Sequence, residues 1–271
     1  MRMNATVILA RNEERDQKAA AELMEYLRFR GIPTVLLQDG MTEHSDEYYN
    51  TDILFVLGGD GSIMHVAERA ARFGSLILGV NYGHLGYLAE MDRMDFLLID
   101  RVISGDYTVE ERMMLQVDLN GEQATALNDL VVSKNGVAGV VELEVLCDGR
   151  SVGNYRCDGM IVATPTGSTA YSLSAGGSVV DPALECMCLT PVCAHSFTAR
   201  PLIFSSKSEL RIQNTDRLGR SMLCALDGSR ERVLEAGQTL TVKKSPLCAR
   251  FVRLINKGFY DTLRAKMMNG R

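Results

Sequence analysis

The 271-residue sequence lacks both a long apolar run and a concentration of basic charge. No stretch approaches the roughly 18–20 apolar residues that a membrane-spanning helix requires. Lys and Arg number 29 against 34 Asp and Glu, and they form no basic block. We therefore expect neither a membrane nor a nucleic acid as a partner. A small anionic ligand remains compatible with this charge, because a few local donors suffice to bind it.

Cysteine is present without a disulfide or metal pattern. The seven cysteines are an odd number and contain no Cys-x-x-Cys pair, which favours a reducing compartment. The N-terminus shows no signal-peptide core or cleavage site, so we expect a cytoplasmic protein. Cys186, Cys188, Cys193 and His195 come closest to a metal cluster, but their spacing is not a usual zinc pattern. We expect ordinary thiols there and no metal site.

Two common nucleotide-binding motifs are also absent. The sequence has no Gly-x-x-x-x-Gly-Lys-Ser/Thr motif, which excludes a P-loop nucleotidase. It has no Gly-x-Gly-x-x-Gly motif either, so the usual dinucleotide fingerprint in the first strand–helix–strand unit is not supported.

The first hundred residues alternate between strand and helix signals, which predicts a parallel sheet with helical crossovers. A helix that Asn12 can cap is expected to run to about Arg30, and a second from about Ser62 to Phe73. The predicted strands are 5–10, 32–37, 53–57 and 76–80.

After about residue 105 the pattern becomes that of a mostly antiparallel β domain. Asn120-Gly121 predicts a hairpin between strands 115–119 and 122–132, and Asp148-Gly149 and Asp227-Gly228 predict further turns. Further strands are expected at 140–146, 159–163, 210–213, 222–226 and 240–242. The tail returns to one strand, 250–255, and one helix, 259–268.

The predicted fold class is thus α/β plus β. We expect an α/β domain over 1–105, a β-rich domain over 106–248, and a C-terminal segment, 249–271, that packs on the first domain. Glu110-Glu111-Arg112 is interpreted as a solvated strand entrance.

The segment Gly58-Gly59-Asp60-Gly61-Ser62 carries the clearest chemistry. It lies where a buried strand turns into a helix, and such helix N-termini bind phosphate. A carboxylate repels phosphate, so Asp60 makes sense as the acid that orients an attacking hydroxyl and accepts its proton late in phosphoryl transfer. The alternative interpretation is a glycine-rich turn in which Asp60 caps the helix.

A second segment, residues 156–172, places an apolar strand before a turn crowded with hydroxyl groups. Its sequence continues from Met160–Ala163 into Thr-Pro-Thr-Gly-Ser-Thr-Ala-Tyr and a helix expected from about Ser168 toward Ala175. Backbone amides and hydroxyls there suit a polar ligand, and Tyr171 suits a nucleobase. The alternative is an ordinary strand–turn–helix with Ser and Thr caps.

Together these segments resemble the NAD kinase family, from about residue 53 to the C-terminus. The elements that carry the resemblance are Gly58–Ser62, Gly83–Tyr87, Asn128-Asp129, Asp158–Tyr171 and His195–Pro201. Five ordered elements are far more specific than the glycine-rich motif alone. One departure concerns the family's Thr-x-Asp-Gly-Gln element, because this chain has Ala225-Leu-Asp227-Gly-Ser229. The role of Asp227 is left between a ligand contact and a hairpin turn.

The resemblance implies a function and a set of roles. It implies phosphorylation of the 2′-hydroxyl of NAD's adenosine ribose by ATP, giving NADP, with NAD bound between the two domains. Asp60 would be the catalytic acid–base residue. The triphosphate of the donor would contact Gly58, Gly59, Gly61 and Ser62.

The implied NAD-binding residues form a larger set, in which Asp129 would accept from a ribose hydroxyl and Arg156 would lie near the product's 2′-phosphate. Asp158 would contact the nicotinamide ribose or amide. The set comprises Gly61, Tyr87, Asn128, Asp129, Arg156, Asp158, Thr166, Thr169, Ala170, Tyr171 and Ser174.

The resemblance also implies Mg²⁺ bound with the phosphates of ATP, with polyphosphate as an alternative donor, and a homo-oligomer, either tetramer or dimer. Two alternative functions remain at this point. One is a lipid kinase of the diacylglycerol or sphingosine type with the same glycine-rich acid. The other is a non-catalytic NAD(P) sensor, against which the presence of Asp60 argues.

Overall fold

The structure is a computed structural model that describes residues 3–9, 14–38, 46–81, 86–91, 94–136, 139–196, 198–254 and 258–268. The chain divides into two compact units. Unit 1 comprises residues 1–111 and 249–271, and unit 2 comprises residues 112–248. Among the described residues, no helix is long and apolar enough to cross a membrane.

The elements are numbered here in chain order. The helices are α1 (Glu14–Phe29), α2 (Asp60–Phe73), α3 (Phe96–Ser104), α4 (Tyr171–Ser174) and α5 (Phe259–Met268). The strands are β1 (Ala5–Leu9), β2 (Thr34–Gln38), β3 (Ile53–Leu57), β4 (Leu76–Val80), β5 (Thr108–Leu119), β6 (Glu122–Ala126), β7 (Asp129–Lys134), β8 (Val141–Cys147), β9 (Arg150–Cys157), β10 (Gly159–Ala163), β11 (Cys186–Val192), β12 (Leu202–Ser205), β13 (Leu210–Asn214), β14 (Met222–Leu226), β15 (Ser229–Leu234) and β16 (Thr239–Arg253).

Unit 1 is built on a parallel sheet in the order β2-β1-β3-β4-β16. All five residues of β1 and of β3 are buried, as expected for strands that are covered on both faces. Leu23 and Leu27 of α1 pack into the same core. Since β3 lies inside this sheet, the turn that follows it starts from a rigid support.

Unit 2 consists of two mostly antiparallel sheets around one apolar core. One sheet contains β13, β8, β9 and the first part of β16, together with the hairpin β5–β6. The other has the order β12-β11-β10-β7-β14-β15. Alternation along β10 shows the two faces: Met160 and Val162 enter the main core, whereas Ile161 and Ala163 pack in a smaller cluster. The parallel α/β and antiparallel β parts confirm the predicted fold class.

Several predicted element boundaries were wrong. The predicted strand 122–132 is two strands, β6 and β7, which pair in different sheets. The predicted strands 240–242 and 250–255 belong to one 15-residue strand, β16. The second helix begins at Asp60, two residues earlier than expected, because Gly59 already has the extended backbone of a helix N-cap. The predicted cap Asn12 lies outside the described residues.

The asparagine and aspartate turns were predicted correctly. Asn120, Asp148 and Asp227 all have positive φ angles, of 57°, 50° and 50°, and each is followed by a glycine in the same region. Short polar side chains and glycine tolerate this left-handed conformation, which two-residue hairpins require.

Candidate active site

The glycine-rich turn of unit 1 connects β3 to α2. The Gly58 N–H still donates to the Val80 carbonyl at 2.9 Å, so the turn opens where the pairing of β3 and β4 ends. Gly59 is the N-cap residue, and no side chain makes a cap hydrogen bond. The interpretation of Asp60 as a helix cap was therefore wrong.

The carboxylate of Asp60 is instead held by the loop that follows β4. Its Oδ2 accepts from the Tyr87 N–H at 2.7 Å, and its Oδ1 accepts from the Leu88 N–H at 3.1 Å. A Cβ added at Gly86 would overlap this carboxylate, so any larger residue there would have to displace it. Two backbone donors fix the carboxylate group and leave lone pairs on both oxygens for a substrate hydroxyl.

The other two glycines of the turn have no such packing reason. A Cβ added at Gly59 or at Gly61 would meet no atom within 4 Å, and neither residue has a positive φ. The first N–H groups of a helix have no partners within the helix, and they carry the positive end of its dipole. Open space at the Cβ positions of Gly59 and Gly61 allows an anionic ligand to approach this helix N-terminus closely.

Tyr87 lies beside this acid and packs against the C-terminal helix. Its ring is 6.0 Å from the Phe259 ring, and Lys266 Nζ lies 4.0 Å from its centroid. Burial, and then the charge of Asp60, raise the pKa of its phenol. Of the predicted element 83–87, residues 83–85 lie outside the described residues.

In unit 2, the two predicted segments around Asn128 and Thr166 lie together. The Thr164 N–H donates to the Asn128 carbonyl at 2.8 Å, and Thr164 Oγ1 donates to the Leu127 carbonyl at 2.6 Å. A Cβ added at Gly167 would overlap the Asn128 carbonyl. The turn at 164–167 is thus shaped by contact with residues 127 and 128.

Several hydroxyls of this second turn bond within the protein. Thr166 Oγ1 accepts from Arg112 Nη1 at 3.2 Å, and Thr169 Oγ1 donates to the Thr166 carbonyl at 3.2 Å. Ser168 Oγ donates to the Pro165 carbonyl at 2.6 Å. Arg112 is only 4% exposed, so its interpretation as part of a solvated strand entrance was wrong.

The expected helix from Ser168 to Ala175 is a 3-10 turn, Gly167–Thr169, followed by the four-residue α4. Ser172 packs inward and shares a 2.9 Å hydrogen bond with Thr190. Tyr171 is 48% exposed, and Ser174 is also exposed. These two side chains, unlike those of Ser168 and Ser172, are accessible to a ligand.

Asp227 is the residue of this region whose role the sequence left open. Its carboxylate accepts from three backbone N–H groups: Leu127 and Asn128, both at 2.7 Å, and Asp129 at 3.2 Å. The Asp227 N–H in turn donates to the Asp129 carbonyl at 3.0 Å. The hairpin turn that the sequence indicated is therefore also the anchor of residues 127–129.

Asp129 has the most altered acid–base environment among the predicted site residues. It is only 4% exposed. Burial, and then the negative charge of Asp227, raise its pKa to about 7. At neutral pH this carboxyl group is therefore divided between its protonated and ionised forms.

Arg156 and Asp158 lie at the other end of β10. Asp129 pairs with Ala163, whereas Ser133 pairs with Gly159, so about 13 Å of strand separates the two ends. Asp158 accepts from Lys134 Nζ at 2.9 Å, and Arg156, with 66% of its side chain exposed, lies 3.4 Å from Glu142. The structure does not bring these two residues to the Asn128–Thr169 cluster.

The cysteines of β11 are largely buried. Burial is the main cause that raises the pKa of Cys188 to about 12, and it also raises that of Cys186. Cys193 is exposed. No group of three or more His, Cys, Asp or Glu side chains within the described ranges could hold a metal ion.

The fold and these two turns define a two-unit protein with one candidate phosphate-binding turn and one hydroxyl-rich turn. It combines an α/β unit, whose glycine-rich turn presents a fixed carboxylate, with an antiparallel β unit, whose hydroxyl-rich turn supports a second acidic segment. Residues 47–107 match the family model of the ATP-NAD kinase N-terminal domain, and residues 127–254 match that of the ATP-NAD kinase C-terminal domain.

Relatives and solved structures agree with this match. The NAD kinase of Symbiobacterium thermophilum is 45% identical over 222 residues, covering 80% of this chain and 78% of that protein. That of Syntrophotalea carbinolica is 35% identical over 263 residues, covering 92% of each. The crystal structure of an Archaeoglobus fulgidus NAD kinase in complex with ATP has a TM-score of 0.82 at 26% identity, covering 98% of this chain and 99% of that one.

The crystal structure of yeast NADH kinase complexed with NADH shares the fold, with a TM-score of 0.86 at 22% identity over 98% of this chain and 88% of that one. The chain belongs to the NAD kinase family. The comparisons support neither a lipid kinase nor a non-catalytic sensor.

Proposed function

We propose that this chain transfers the terminal phosphoryl group of ATP to the 2′-hydroxyl of the adenosine ribose of NAD, giving NADP and ADP. The observation that carries the proposal is the Asp60 carboxylate, which is held by two backbone N–H groups in a turn where a Cβ at Gly59 or Gly61 would meet open space. Family membership supplies the substrates, since the relatives are NAD kinases and a structural neighbour binds ATP.

In the proposed reaction Asp60 acts on the acceptor hydroxyl. The 2′-oxygen forms a bond to the terminal phosphorus while the bond from that phosphorus to the bridging oxygen breaks, and ADP leaves. Asp60 accepts a hydrogen bond from the 2′-hydroxyl and so orients the lone pair of the 2′-oxygen toward the phosphorus. It takes the proton late in transfer. Because Tyr87 and Leu88 fix the carboxylate, little reorientation is needed before reaction.

The donor is proposed to lie against the turn. Gly58, Gly59, Gly61 and Ser62 are the proposed contacts of the triphosphate, because open space at the Cβ positions of Gly59 and Gly61 allows phosphate oxygens to come close to the backbone of the turn. Mg²⁺ is proposed to arrive with ATP as part of the substrate and to neutralise phosphate charge. ATP is the proposed donor, with polyphosphate as the alternative.

The adenosine half of NAD is proposed to bind the Asn128 cluster of unit 2. Asn128 and Asp129 would contact the ribose, and the exposed Tyr171 ring would stack on the adenine. The remaining proposed contacts come from Gly61, Tyr87, Thr166, Thr169, Ala170 and Ser174.

Asp158 is proposed to contact the nicotinamide ribose or amide, since it lies at the opposite end of β10 from the residue that pairs with Asp129. Arg156 is proposed to bind the product's 2′-phosphate. The proposal also includes a cytoplasmic homo-oligomer, either tetramer or dimer.

The test is NADP formation by the purified protein with NAD, ATP and Mg²⁺, read with an NADP-specific dehydrogenase. Asp60→Asn should still bind NAD but lose roughly 10²–10⁴-fold in turnover, as expected on loss of a general base. The matched control is Asp95→Asn, because Asp95 also accepts a backbone N–H, from Leu97 at 2.9 Å, but caps α3 instead. It should keep its turnover.

Two other outcomes would overturn the proposal. Tight NAD binding by the wild type without NADP formation from ATP or polyphosphate would favour the sensor function. If the wild type neither bound NAD nor made NADP, NAD would be rejected as the substrate, and a lipid acceptor would be favoured.

A further inference from the structure

The backbone of residues 127–129 is unusual because the chain changes sheets there. β6 ends at Ala126 in one sheet of unit 2, and β7 begins at Asp129 in the other. Leu127 is fully buried and Asp129 is 4% exposed. Backbone N–H groups between the two strands are paired in neither sheet. Buried N–H groups need hydrogen-bond partners, so these groups must find them elsewhere.

One side chain supplies these partners. Asp227 Oδ2 accepts from Leu127, and its Oδ1 accepts from both Asn128 and Asp129. From the other side, Thr164 donates to the carbonyls of Leu127 and Asn128. The crossing is therefore held through both its donors and its acceptors.

We propose that Asp227 is a positioning residue of the adenosine site: its carboxylate fixes the backbone from which Asn128 and Asp129 reach the ribose. The inference rests on the proposed function for the identity of the ligand. Asp227 need not touch that ligand, because its carboxylate is engaged by the three N–H groups. Its negative charge also adds, after the larger effect of burial, to the raised pKa of Asp129.

The backbone of Asp227 permits a clean test. Its φ of 50° lies in the left-handed region, which Asn and Gly tolerate. Asp227→Asn therefore keeps the turn and one acceptor oxygen, but it places an amide donor against a backbone N–H. Asp227→Gly keeps the turn and removes every acceptor. If NAD binding is weakened more by Asp227→Gly than by Asp227→Asn, the effect comes from the loss of acceptor oxygens and not from a change in the turn.

The sequence offers a matched control at Asp148. This residue also has a φ of 50° and precedes a glycine in a hairpin of unit 2. Its Oδ1 accepts one backbone N–H, from Glu209 at 2.8 Å, which belongs to none of the proposed substrate segments. Asp148→Asn thus repeats the same change of side chain in the same kind of turn.

The experiment measures the NAD dissociation constant, the KM for NAD and for ATP, and kcat, at a temperature where circular dichroism shows each variant to be folded. Asp227→Asn should raise the dissociation constant and KM for NAD by about tenfold, the cost of one hydrogen bond to a charged group. Asp227→Gly should raise them further. The KM for ATP should stay within about twofold of wild type, and Asp148→Asn should leave all constants unchanged.

A general loss of folded structure would not raise the KM for NAD while leaving the KM for ATP unchanged. The inference is overturned if folded Asp227→Asn binds NAD as the wild type does, or if the KM values for NAD and ATP rise together. If the wild type binds NAD but makes no NADP, the proposed function fails, whereas weaker NAD binding by Asp227→Asn still supports the positioning role. If the wild type does not bind NAD, both fail.

Discussion

Two turns in this molecule leave fully buried strands and lead into helical residues, yet their glycines have different surroundings. In unit 1, Gly59 and Gly61 follow β3, and an added Cβ would meet nothing within 4 Å. In unit 2, Gly167 follows β10, and an added Cβ would overlap the Asn128 carbonyl. The first turn keeps its backbone open, whereas the second uses its backbone to support a neighbouring segment.

The same difference separates the two acids that the site proposal uses. Asp60 receives two backbone hydrogen bonds and lies in the open turn. Asp129 is buried beside Asp227, which takes the backbone hydrogen bonds of its segment. The backbone N–H groups of the first turn are therefore suited to contact a ligand. The second turn instead supports the segment whose Asn128 and Asp129 side chains are proposed to do so.

The largest expected effect comes from moving the fixed carboxylate. In Gly86→Ala the new methyl group would overlap the Asp60 carboxylate, which must shift. Displacement of a catalytic group by about 1 Å costs roughly 100-fold, so kcat should fall by about that factor. Steady-state kinetics with NAD and ATP would measure it. A kcat within a few-fold of wild type would show that the position of this carboxylate does not limit the reaction.

The next effect concerns the packed glycine. Gly167→Ala forces a Cβ into the Asn128 backbone, and such overpacking should lower the free energy of unfolding by about 1–3 kcal/mol. Urea unfolding measures this change. Gly61→Ala is the control, because its Cβ meets no atom, and its stability should equal or slightly exceed that of wild type. Equal destabilisation of the two variants would remove the distinction between the turns.

A third effect, of similar size, depends on pH. The pKa of Asp129 rises from its ordinary 3.8 to about 7 in the folded protein. Because the folded state then binds the proton more tightly, stability falls as pH rises from about 4 to 7 and stays lower above that range. Asp129→Asn cannot ionise, so its stability relative to wild type should increase by about 2 kcal/mol between pH 5 and pH 8.

Urea unfolding at the two pH values tests this prediction. Asp148→Asn is the control: the N–H of Glu209, the main cause, lowers the pKa of Asp148 below 3.8, so this carboxyl stays ionised throughout the range. Its difference from wild type should not change between pH 5 and pH 8. If the free energy of unfolding of Asp129→Asn relative to wild type were also the same at pH 5 and pH 8, the raised pKa of Asp129 would be contradicted.

The sequence was sufficient wherever structure depends on neighbours along the chain. Apolar runs identified β3 and β10, and the Asn-Gly and Asp-Gly pairs identified three hairpins. The glycine-rich turn was also located correctly, since its strand and helix flank it directly.

Features that depend on distant residues escaped the sequence. The break between β6 and β7 is held by Asp227, about a hundred residues later, and nothing in Ala126-Leu127-Asn128 interrupts a strand pattern. Likewise, the carboxylate of Asp60 is fixed by a loop 27 residues away. The buried Arg112 donates to Thr166, 54 residues away, and no local pattern around Glu110 and Glu111 could indicate this contact.

The most direct test of the contrast between the turns is the KM for ATP of Gly61→Ala. The substitution adds one methyl group to the open turn and leaves the protein's own packing unchanged. If that space receives the triphosphate, KM should rise by about tenfold, or ~1.4 kcal/mol, while the melting temperature is maintained. An unchanged KM for ATP in the folded variant would contradict the proposed role of the turn.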